Sequence, residues 1–60
     1  MCEFNVVVNG EKVFEDVIYA KVEDGRVILR DILGETKDFP KHRIVEVDVN
    51  KTLLVLSPIR

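Results

Sequence analysis

The chain of 60 residues holds one cysteine, Cys2, and one histidine, His42. Removal of the initiator Met, expected before a residue as small as Cys, would leave an α-amine and a thiol on one residue. Together they form a five-membered chelate. With reference values of about 8 for the amine and about 8.5 for the thiol, a divalent cation can displace both protons at neutral pH. An amine–thiolate pair suits Ni(II), Cu(I) or Cu(II), and Zn(II), and a planar four-coordinate geometry favours Ni(II) or Cu(II). One chain supplies half of such a set. A two-fold dimer supplies two amines and two thiolates, provided the termini meet at the axis. With Met1 retained, its amine and the Cys2 amide would join the thiolate instead. The plainer reading of a lone cysteine is a small hydrophobe in a reducing compartment, and it stays open beside the metal reading.

The remaining chemistry-bearing residues are less promising. His42 lies in Lys41-His42-Arg43 after Pro40, where two cationic neighbours oppose a metal ion and an exposed loop imidazole is the simpler reading. Lys37, Lys41, His42 and Arg43 form the basic patch, which could meet phosphates. However, Phe14, Tyr19 and Phe39, the aromatics available for stacking, are not interleaved with it. The adjacent acids Glu15-Asp16 and Glu23-Asp24 point to opposite sides of a strand and cannot act as a dyad. No Ser/His/Asp set and no glycine-rich phosphate loop occurs, so no enzyme is expected. One Cys and one His also exclude a zinc finger.

Eleven acidic against nine basic residues give a net charge of −2 and a pI near 5.2, which argues against nucleic acid held by bulk electrostatics. The longest aliphatic run, Leu53 to Leu56, is far short of the roughly 20 residues of a membrane span. Nor does the N-terminus have the basic and apolar regions of a secretory signal. The expected location is the cytoplasm.

These residues must be positioned by β-strands. Val occurs eleven times, Ile and Leu five times each and Ala once, a composition fitted to pleated surfaces. Turn signals at Asn9-Gly10, Asp24-Gly25, Leu33-Gly34-Glu35, Phe39-Pro40 and Asn50-Lys51 separate segments of strand length. The alternation predicts strands over 2–8, 16–23, 26–31, 36–39, 43–49 and 52–56, with a short piece over 11–14 after the first turn and a single helical turn conceivable over 40–45. Phe4, Val6, Val8, Ile18, Ala20, Val22, Val27, Leu29, Val45, Val47 and Val49 are the expected core. The expected fold is one all-β domain over 1–60, a small SH3-like or Sm-like antiparallel barrel of five to six short strands. Val7, Val17, Tyr19, Ile28, Ile44 and alternate residues of 53–56 are left for a second face. A lone 60-residue core rarely stabilises itself and no intrachain disulfide can form, so burial of that face against a second copy is expected.

The opening Met1-Cys2-Glu3, the valine-rich strand and turn, and Asp16-Val17 in the following strand resemble the CooT family. The Glu23-Asp24-Gly25 turn and the Glu46–Val49 strand also resemble its hairpin pattern. The resemblance implies a small SH3-like barrel homodimer that binds Ni(II) through Cys2. It would supply a nickel enzyme such as carbon monoxide dehydrogenase, or its maturation proteins, with Cu or Zn as in-vitro substitutes. Members have also been labelled predicted RNA-binding proteins. Three functions are therefore carried forward: a nickel metallochaperone or storage dimer, an RNA-binding barrel, and a protein-interaction adaptor without metal.

Overall fold

Asn9 and Gly10 both take positive φ, 52° and 79°, and so do Asp24 and Gly25, 53° and 73°. These are the angles of type I′ turns, whose twist matches that of the strands they join. Each pair closes a two-residue hairpin, at Val8–Glu11 and at Glu23–Arg26. The computed structural model describes residues 2–60. It contains β1 (Phe4–Val8), β2 (Glu11–Glu23), β3 (Arg26–Asp31), β4 (Thr36–Pro40), β5 (His42–Asp48) and β6 (Leu53–Pro58). The all-β expectation of six strands holds, and 40–45 contains no helix. Among the described residues no helix is long and apolar enough to cross a membrane.

The six strands form one sheet in the order β4-β3-β2-β1-β6-β5. Two details differ from the expected antiparallel barrel: the sheet is not closed, and β1 runs parallel to β6, from Asn5 beside Leu53 to Val8 beside Leu56. β4 and β5 are consecutive in the chain yet lie at opposite edges of the sheet. One residue, Lys41 at φ 59°, joins them. The sheet must therefore curl until its edges meet at this corner. There the Lys41 carbonyl accepts a hydrogen bond from the Ile59 amide at 2.7 Å.

Val6, Val17, Val27, Leu29, Leu54 and Leu56 are buried inside the curl, with Phe4, Val8, Val13, Phe14, Phe39 and Ile44 packed around them. Of the expected core, Val6, Val27 and Leu29 are buried, and Phe4 and Val8 are half-buried. Ile18, Ala20, Val22, Val45, Val47 and Val49 are exposed instead. Two bulges account for much of the difference. On β2, Val17 pairs with Asp31 while Ala20 pairs with Leu29, so one extra residue places Val17 and Ala20 on the same face although they are three apart. On β5, Ile44 pairs with Leu56 and Val47 with Leu54, which puts Ile44 rather than Val45 on the inner face. Ala20, Val22 and Val47 share faces with core residues yet stay exposed.

Candidate metal centre

Cys2 precedes β1 by two residues. β1 is fixed on both sides, by β2 and by β6, and the Asn5 amide donates to the Thr52 carbonyl at 2.8 Å. The thiol is free and exposed. Among the described residues no group of three His, Cys, Asp or Glu side chains could hold a metal ion. Met1, whose amine enters the alternative chelate, lies outside the described residues.

His42 is at the far end of the sheet. It pairs with Pro58 at the end of β6, whereas Cys2 extends beyond the start of β6, so the length of β6 separates them, roughly 20 Å at about 3.3 Å per residue. Its Nδ1 lies 2.8 Å from the Pro40 carbonyl oxygen. A carbonyl can only accept, so Nδ1 carries the proton and donates. The ring also sits edge-on to Phe39, with centroids 5.7 Å apart. His42 thus braces the corner and is not brought to Cys2.

The expected basic patch is divided. Lys37 turns to β2, with its Nζ 5.2 Å from the Phe14 ring centroid and donating to the Val13 carbonyl at 3.2 Å, while Lys41 occupies the corner. The expected second apolar face is kept in part, since Val17, Tyr19, Ile44 and Leu54 line one groove. Val17 is buried, and Tyr19, 40% exposed, has the Arg30 guanidinium 4.3 Å from its ring centroid. This groove, of about 170 Å³, is the open mouth of the curl, and Phe4, Ile18, Ala20 and Val47 complete its lining. Sequence periodicity assigned Phe4, Ile18, Ala20 and Val47 to the core and Val17, Tyr19 and Ile44 to the second face, and so split this groove between two lists. The signal that locates it is topological, because a sheet whose edges meet at one corner is open elsewhere. Phe4 connects the groove to Cys2, two residues upstream.

Comparison with known proteins agrees with the resemblance in the N-terminal residues. The family model described as CO dehydrogenase accessory protein CooT matches residues 1–57. A Methanocaldococcus jannaschii protein described as uncharacterized is 34% identical over 57 residues, which cover 95% of this chain and 98% of that protein. The chain belongs to the CooT family.

Proposed function

We propose that this CooT-family chain is a nickel carrier or store serving CO dehydrogenase, acting as a two-fold dimer that holds one Ni(II) between two Cys2 thiolates. Nickel is its cargo, and the chain performs no catalysis itself. What supports the reading is the match to the CO dehydrogenase accessory family over residues 1–57, together with a Cys2 thiol that is exposed and free. A second copy doubles the thiolate and backbone-nitrogen donors to the four a planar ion takes. The groove that begins at Phe4 supports the same arrangement, since burying an apolar surface beside Cys2 against its symmetry mate brings the two termini together. Location in the cytoplasm, where a thiol stays reduced, accords with this use.

Titration with Ni(II), followed by thiolate-to-nickel charge-transfer absorption, tests the assignment. Cys2→Ser should abolish the band while leaving the fold intact, because a hydroxyl stays protonated where a thiol ionises and Cys2 is outside the core. His42→Ala should leave the band unchanged. Nickel bound with similar affinity by the Ser variant, or lost by the His42 variant, refutes Cys2 as the ligand.

A further inference from the structure

The Asp24–Gly25 turn, the Pro40–Lys41 corner and the tail at Ile59–Arg60 enclose an open cleft of about 440 Å³. We propose that this cleft docks an acidic segment of the protein partner, a reading that rests on the accessory role proposed above. In a chain with more acids than bases, Arg26, Lys41 and Arg60 surround one cleft, against the single carboxylate of Asp24. Among the described residues neither Lys41 nor Arg60 enters an ion pair. Arg26 is paired with Asp38 at 3.5 Å, with both side chains about half exposed, a contact that solvent screens.

The three cations come from distant parts of the chain, and the fold fixes two of their positions. Arg26 opens β3 directly after a two-residue turn. Lys41 is the corner residue itself, tied to the tail through the 2.7 Å bond from the Ile59 amide. Pro40 and Ile59 supply apolar surface between the charges.

The layout selects the occupant. The cations are spread around a cleft much larger than one phosphate, with no buried polar side chain focusing them on a point, which fits several carboxylates along an extended peptide. The cleft has no aromatic lining, and stacking on aromatics is what single-stranded nucleic acid needs.

The test is an amide-resolved NMR titration of the full chain with hexaglutamate, decauridylate and inorganic phosphate in parallel. Hexaglutamate should saturably shift the amides of Gly25, Lys41, Ile59 and Arg60, at least tenfold more tightly than phosphate, and added salt should weaken it. Lys41→Glu with Arg60→Glu should weaken binding at least tenfold, and Lys41→Gln with Arg60→Gln should do so to a lesser degree, with the spectrum otherwise preserved. Absence of a saturable shift, equal binding by the charge-reversed protein, tighter binding of decauridylate, or phosphate matching the peptide would each overturn the proposal. Nickel titration of the same variants separates the two readings. Charge reversal at the cleft should leave nickel binding intact, and Cys2→Ser should leave hexaglutamate binding intact.

Discussion

Asp31 is a carboxylate taken into the interior, 8% exposed. Its Oδ1 accepts from the Leu33 amide at 3.0 Å and from the Glu35 amide at 2.8 Å, so one atom organises the turn between β3 and β4. Asp31→Ala would leave two amides without that partner and should cost about 1–3 kcal/mol. Asp31→Asn retains an accepting oxygen and should cost less, and thermal melts of both variants check the order. The exposed pair of Lys12 and Glu15, 2.8 Å apart, behaves differently. Its hydrogen bond, then its charge attraction, holds the Glu15 carboxyl below the usual carboxylate range and raises Lys12 above the usual lysine value. The depressed carboxyl contributes stability above the ordinary carboxylate range and loses it as pH falls through its lowered value. The raised Lys12 contributes below its ordinary value and loses it as pH rises through the folded one. Both side chains are more than half exposed, so the pair is screened. Glu15→Gln should leave the melting temperature at pH 7 almost unchanged and flatten the acid limb only slightly, as melts from pH 2 to 7 would show. At this scale Cys2 was legible, because its chemistry depends on residue type and position alone. The cleft cations Arg26 and Arg60 were not, because they lie more than thirty residues apart in the chain and only the curl brings them together.

Among the elements, β2 departs furthest from a regular strand. It runs 13 residues, with Asp16 at φ 58° in its middle, a conformation that costs most non-glycine residues roughly 1–2 kcal/mol and that Asp tolerates better. The Asp16 carbonyl accepts from the Ile32 amide at 3.0 Å, which ties the irregular segment to the β3–β4 turn. Asp16→Gly should therefore be neutral or stabilising. Asp16→Val should lower stability by about 1–2 kcal/mol, read as a fall of roughly 4–8 °C in melting temperature for each kcal/mol. The hairpin turns were legible because Asn-Gly and Asp-Gly are the pairs that adopt type I′ angles cheaply. The bulges were not: Val17 and Ile18 are both apolar, as are Ile44 and Val45, so a period-two pattern fits either register. Asp16 is the one readable mark, since Asp and Asn are the side chains that commonly take a left-handed φ. Each bulge shifts the register within its strand, so Val17 rather than Ile18 and Ile44 rather than Val45 face inward, and the expected core and the observed one share only part of their members.

For the whole molecule, six strands curl until a single residue joins the two edges, and what remains open is apolar. An all-β fold was legible from composition and turn spacing; incomplete closure was not, because it depends on which edges meet. The groove gives the dimer a location. Val47 is 57% exposed, and replacing so exposed a valine in a monomer changes stability by little more than about 0.5 kcal/mol. In a dimer sealed by the groove, Val47→Asp should halve the mass seen by sedimentation equilibrium and make the melting temperature independent of protein concentration. A wild-type protein that sediments as a monomer at micromolar concentration removes the dimer. The central claim is that two chains share one nickel through Cys2, and stoichiometry tests it most directly. Native mass spectrometry across a Ni(II) titration should show a dimer carrying one nickel ion and no loaded monomer, with Cys2→Ser showing neither loaded species. A monomer carrying its own nickel, or a Cys2→Ser dimer that still carries the metal, would contradict it.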